Sequence, residues 1–152
     1  MVGHDIDDKD LKILARLARN ARTTYADLAR EVGLSDVAVI KRVKRLENRI
    51  IKRYTLSVDP SALGYRVVSI TGIDVDPDKL FNVMESLKVM PYLRGLWLTT
   101  GDHQLVAVVW ASDEAEAARV QKEISEIDGV KRVCPSVVLK TIKDLDMGFY
   151  IG

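Results

Sequence analysis

The chain has 152 residues, 47% hydrophobic and 30% charged, with a single Cys, and its net charge of +1 conceals a balance of +4 over residues 1–60 and −3 over residues 61–152. That length holds one ordinary domain or two small ones with a buried core, and one cysteine excludes a disulfide scaffold or a Cys-rich zinc module. No apolar run approaches the roughly 18 residues of a membrane span, and the start MVGHDIDDKD is too polar for a signal peptide, so a cytoplasmic protein is expected.

The first part reads as three helices. Asp5 or Asp7 can cap a helix whose Leu11, Leu14, Leu17, Ala18 and Ala21 recur at steps of three and four. Thr23 or Thr24 caps a short second helix carrying Leu28, Ala29 and Val32, which Gly33 stops. Ser35 caps a third, with Ile40, Val43 and Leu46 facing inward and Lys41, Arg42, Lys44 and Arg45 on the remaining faces. Two helices joined by a short Gly-containing turn are the signature of a helix-turn-helix. Residues 41–53 hold seven basic side chains against one acidic, Glu47, which suggests a polyanionic partner for that segment.

Residues 50–58 are β-branched and extended up to Asp59-Pro60 and read as a strand linking two domains. A second rhythm follows. Residues 66–75 predict a strand, and residues 77–89 a helix with Leu80, Val83, Met84 and Leu87 inward. Residues 93–100 and 105–110 predict strands around a turn at 101–104. Residues 115–127 predict a helix with Val120, Ile124 and Ile127 inward, Asp128-Gly129 breaks it, and residues 130–142 form a last strand. The order βαββαβ is a ferredoxin-like sandwich with helices on one face of an antiparallel sheet. The fold class is therefore α+β: a winged-type helix-turn-helix at 1–49, a strand linker at 50–64 and a ferredoxin-like part at 65–152. The first strand has no clean polar side and the third is apolar on both faces, and the chain has no further helix to cover the second face, so a dimer at least is expected.

Site chemistry is sparse outside the basic helix. Asp74, Asp76 and Asp78, with Glu85 at the twelfth position, imitate a calcium loop, but Lys79 stands where the turn needs Gly. Helix capping explains these acids, and likewise Asp5, Asp7, Asp8 and Asp10, so no metal and no cofactor are expected. His4 and His103 belong to no triad pattern, and Cys134, in an apolar strand, reads as a small core residue; no catalytic residue is assigned and no enzyme is expected. His103 reads as a surface turn residue, in a turn where a small ligand can meet backbone amides. A helix-turn-helix lays its second helix in the major groove. That puts Ser35, Asp36, Val37 and Ala38 near bases, with Val37 and Ala38 able to meet only apolar groups such as thymine methyls. Lys41, Arg42, Lys44 and Arg45 suit phosphates, or for an Arg a guanine edge, and affinity should be salt-sensitive. An isologous dimer presents two such helices to a pseudo-palindromic operator in double-stranded DNA.

Ile6-Asp7 with residues 11–14, then residues 26–35, 42–47, 54–60 and 62–65 resemble the Lrp/AsnC (feast/famine) regulators over nearly the whole chain. The resemblance implies a transcriptional regulator of amino-acid or related metabolism, dimers through the C-terminal sheets that often assemble into octamers, and an amino-acid effector bound between subunits. It carries the helix-turn-helix onto residues 24–43, adding Thr24 and Tyr25, and the effector turn onto Thr99, Thr100, Gly101, Asp102, His103 and Gln104. Three positions depart from the family. The third helix lacks a terminal Gly, and Asn48 is expected to supply the left-handed residue there; Gln104 stands where an acid is common; Asp36 stands where Pro is frequent. Competing readings are a ligand-binding module of the same fold without DNA binding, and a sirohaem-decarboxylase-like enzyme.

Overall fold

Asp7, Thr24 and Ser35 each end an extended residue and begin a helix, their side-chain oxygens accepting from the backbone N–H three residues on. The computed structural model describes residues 6–143, so His4 and the alternative cap Asp5 lie outside the described residues. The helices are α1 (Asp8–Arg19), α2 (Tyr25–Val32) and α3 (Asp36–Arg49). At α1 the capping is reciprocal, since Asp10 accepts in turn from the Asp7 N–H. Gly33 closes α2 with φ +65°, a left-handed conformation that a side chain would strain, and Leu34 N–H reaches back to Ala29.

The phase of two helices differs from the sequence expectation. Ile13 and Leu17 of α1 and Val39, Val43 and Leu46 of α3 are buried, whereas Leu14 and Ile40 are half-buried and Ala18 is exposed. The reason in α1 is Asp10, a fully buried charge that shares the inward stripe with Ile13 and Leu17, although a hydrophobic pattern counts it as polar. Asn48 does not supply a left-handed cap either. The helix continues through Arg49, and the Ile50 and Ile51 N–H groups both donate to Leu46 O at 2.8 Å. Residues 51–59 form no strand; an extended sequence becomes a strand when an edge is offered to it, and none pairs with it among the described residues. The Tyr54 hydroxyl instead donates to Glu47 at 2.9 Å.

Contacts divide the described residues into one unit of residues 6–57 with 142–143 and a second spanning Val58–Thr141. The second contains β1 (Val67–Val75), α4 (Leu80–Lys88), β2 (Leu93–Leu98), β3 (Leu105–Ala111), α5 (Glu114–Ser125) and β4 (Val130–Val137). The sheet is antiparallel in the order β2-β3-β1-β4, the ferredoxin-like arrangement. The last strand ends five residues earlier than expected. Ser69 pairs with Val137 and Val138 N–H donates to Val68 O, one residue short of the start of β1 at Val67. Nor does an acid cap α4: its cap residue is Lys79, and Asp76, before the 3-10 turn Pro77–Lys79 that leads into it, makes no side-chain cap bond either.

Alternation along the strands sorts the two faces. Ile73, Val75, Leu105, Ala107 and Val109 are buried against Val83 and Leu87 of α4 and Val120 and Ile124 of α5. Ser69 and Thr71 share that face, their hydroxyls bonded to each other at 3.2 Å. The opposite face carries Val68, Ile70, Gly72 and Asp74 of β1 in register with Val106, Val108 and Trp110 of β3 and with Arg132, Cys134 and Ser136 of β4. Ile70 and Trp97 on it are each about half exposed, at 50% and 49%.

Candidate functional site

Two places gather polar side chains beyond what folding their surroundings requires. The first is α3. Ser35 Oγ is engaged as the cap, accepting from Ala38 N–H at 3.2 Å, and Thr24 Oγ1 both accepts from Asp27 N–H and donates to its carboxylate. Beyond these caps, Asp36 and Val37 are exposed on the first turn of α3, Val37 at 63%, and Tyr25 is exposed at the start of α2.

The four cations expected to meet phosphate divide into two kinds. Arg42 Nη1 donates to Asp7 at 2.7 Å and to Asp10 at 2.8 Å, and Arg45 Nη2 pairs with the other Asp10 oxygen. Their shared partner Asp10 is fully buried, so both guanidiniums neutralise a charge that water does not reach. The Asp10 N–H and then Arg42 hold the Asp7 carboxyl below the usual carboxylate range, and Asp7 raises Arg42 in return. Arg42 is thus an internal brace rather than a side chain on a solvated face. Lys41 and Lys44 are exposed and have no ion pair among the described residues.

The second place is the turn from Thr99 to Gln104 with the strands beneath it. Thr99 closes the neck: its N–H donates to Gln104 O at 2.9 Å and its hydroxyl to His103 O. Thr100, Gly101 and Asp102 are exposed at the tip. Gly101 has no positive φ, and a Cβ there would meet open space, so nothing among the described residues demands glycine. The Gln104 side chain is engaged, Oε1 accepting from Val75 N–H at 3.1 Å.

His103 is not a surface residue of the turn. Its ring folds down over Gly72, where an added Cβ would lie 2.1 Å from Cδ2, and its Nδ1 stands 2.7 Å from Asp74 Oδ1. Arg132 Nε donates to the other Asp74 oxygen at 2.7 Å. These two partners, His103 first, hold the Asp74 carboxyl below its ordinary range. Cys134 is directly opposite Gly72 in the β1–β4 ladder, on the face away from the helices, so it is half-buried and is not part of the helix-side core. One donor atom from each of Asp74, His103 and Cys134 lies within 4.8 Å of the others. Sequence reasoning missed this convergence because the three come from β1, the turn and β4, with no spacing rule to join them. The signal available was Gly72, a glycine inside a strand, which marks a close approach by something else.

Two domain families account for these two units. Residues 6–47 match the AsnC-type helix-turn-helix domain, and residues 68–147 match the Lrp/AsnC ligand binding domain. The chain belongs to the Lrp/AsnC family of transcriptional regulators.

This Lrp/AsnC regulator is similar to the HTH-type transcriptional regulator LrpA of Pyrococcus horikoshii, 45% identical over 140 residues that cover 91% of this chain and 99% of that one. It is 35% identical to the regulator Ptr1 of Methanocaldococcus jannaschii, over 91% and 95% of the two chains. Among solved structures, E. coli AsnC superposes with a TM-score of 0.85 at 27% identity, covering 91% of this chain and 95% of that one. The likeness confirms the expected architecture of an N-terminal helix-turn-helix and a four-stranded α+β unit in this regulator. No described helix of it is long and apolar enough to cross a membrane.

Proposed function

We propose that this Lrp/AsnC regulator binds pseudo-palindromic operator DNA through α3, and that an amino-acid effector at residues 99–104 alters its assembly and thereby its affinity. Residues 1–49 are the DNA-binding part, 50–64 the linker and 65–152 the effector and oligomerisation part, acting in the cytoplasm and without enzymatic activity. The carrying observation is the division among the α3 cations: Lys41 and Lys44 are exposed without ion pairs among the described residues, beside an exposed first turn. Phosphate contacts fall to these two lysines, with Arg45, 45% exposed, as a lesser contributor. Base contacts fall to Val37, Ala38 and Asp36, flanked by Ser35, Thr24 and Tyr25, while Arg42 acts by fixing α3 against α1.

Assembly is supported by the open sheet face, where Val68, Ile70, Val106, Val108, Trp97 and Trp110 form an apolar surface that a second copy can cover. The dimer, or an octamer built from it, then sets the spacing of paired recognition helices. For the effector, Asp102 offers a carboxylate to an ammonium and Thr100 a hydroxyl to a carboxylate, and Gly101 leaves room for close approach of another molecule. Effector binding that favours one assembly shifts the population competent for DNA.

The test is a mobility shift on the DNA upstream of the protein's own gene across a salt series, with and without a pool of amino acids, paired with light scattering for assembly size. Salt-sensitive binding modulated by amino acids is the expected result. Absence of DNA binding at low salt overturns the DNA reading and favours a ligand-binding module of the same fold; unmodulated binding overturns the assignment of residues 99–104.

A further inference from the structure

We infer that Asp74, His103 and Cys134 form a binding site for a soft divalent transition-metal ion, of the zinc class, on the open face of the sheet. The site goes beyond the reading above, since neither DNA contact nor amino-acid capture requires a thiol or an imidazole at these positions.

The geometry begins with Gly72. A strand residue pointing to this face would ordinarily fill the space beside Cys134, its ladder partner; glycine leaves it empty and the His103 ring occupies it. Any side chain at 72 would collide with that ring at 2.1–2.5 Å. The imidazole is thereby held against the sheet, between a carboxylate two residues along β1 and a thiol across the ladder. Donor atoms of one tetrahedral zinc ion, bonded at about 2.0–2.3 Å, lie roughly 3.5 Å from one another. The three donors here are all within 4.8 Å and come from three separate segments, and the 2.7 Å bond between His103 Nδ1 and Asp74 opens for both to reach one ion.

The donor set decides the class of ion. Thiolate and imidazole select zinc, cobalt or copper over magnesium and calcium, which take oxygen. The set also predicts its own weakness. Three protein ligands leave a fourth position for water or another ligand, and Arg132, 2.7 Å from the far Asp74 oxygen, places a positive charge beside the ion. The thiol gives up its proton on binding, so affinity rises with pH. An ion held there pins His103, and with it one side of the 99–104 turn.

Cobalt(II) added to the full-length protein under a thiol-free reductant provides the test, because a thiolate-to-cobalt charge-transfer band reports sulfur ligation directly. We expect one cobalt per chain, with that band, displaced by zinc. Cys134→Ser should abolish the band with the circular dichroism unchanged. His103→Gln should weaken cobalt binding at least tenfold, and Arg132→Gln should tighten it by removing the competing cation. No band at saturating cobalt, a band that persists in Cys134→Ser, or unchanged affinity in His103→Gln overturns the proposal. The readout involves neither DNA nor amino acids, so it fails or succeeds independently of the regulatory reading.

Discussion

Two carboxylates in this protein are each held by two nitrogen-bearing side chains, yet they do different things. Asp10 lies inside the helical unit with no exposed surface, and its partners are Arg42 and Arg45. Asp74 lies on the open face of the sheet at 18% side-chain exposure, and its partners are Arg132 and His103. In the first case every partner is a permanent cation, so the cluster can only hold or break. In the second one partner is an imidazole, a side chain able to ligate a metal ion, with a thiol within reach. The lesson is that ion pairing alone does not distinguish a brace from a site; the kind of partner and the access of water do.

The largest expected effect breaks the brace. Asp10→Ala leaves two arginines facing a buried vacancy, and the helical unit should lose about 3 kcal/mol of stability in denaturant unfolding, the low end for a broken buried pair because both guanidiniums reach solvent. A smaller loss, about 2 kcal/mol, should follow Gly72→Ala, since the added methyl group must displace the His103 ring. The same change should detach His103 from Asp74, seen as a displaced imidazole resonance by NMR. If Gly72→Ala is neutral and the imidazole resonance unmoved, the packing of His103 on the sheet is not what holds it.

Acid sharpens the comparison further. Asp74 and Asp7 titrate below their ordinary values in the folded protein, so their contribution is fully present above the usual carboxylate pKa and is lost as pH falls through the depressed folded value. Thermal unfolding midpoints should therefore decline on the acid side, and Asp74→Asn should flatten that decline while leaving the neutral-pH midpoint closer to wild type than Asp10→Ala does. The smallest effect on stability belongs to the lysines. Lys41→Ala and Lys44→Ala should leave the unfolding midpoint unchanged and lower the salt slope of DNA binding by about one each. Arg42→Ala should do the reverse, lowering the midpoint first.

The fold was largely legible because its punctuation is local: Thr24, Ser35 and Gly33 signal helix ends within three residues, and strand alternation survives in Ile73, Leu105 and Val109. What was not legible required knowing a partner distant in sequence. Asp10 spoils the hydrophobic period of α1 because Arg42 and Arg45, more than thirty residues on, make its burial possible. The end of β4 at Val137 depends on where β1 begins. His103 and Cys134 were isolated letters until the ladder set them on either side of Gly72, and the basic residues of α3 could not be divided into braces and contacts without seeing which ones Asp10 holds.

The order of strands carries a consequence for how the chain comes into being. Strand β1 is made first, yet in the sheet it sits between β3 and β4, the last two to be synthesised. The three helices close through contacts between near neighbours, whereas β1 cannot acquire its second partner until residues 130–137 have left the ribosome. Until then its edge and its apolar surface are open to the wrong partner. A nascent chain of this protein thus has a fast-forming head and a body whose first strand waits for its last, so the vulnerable interval lies late in translation, and a stall near residue 125 should be far more prone to misassembly than one near residue 60.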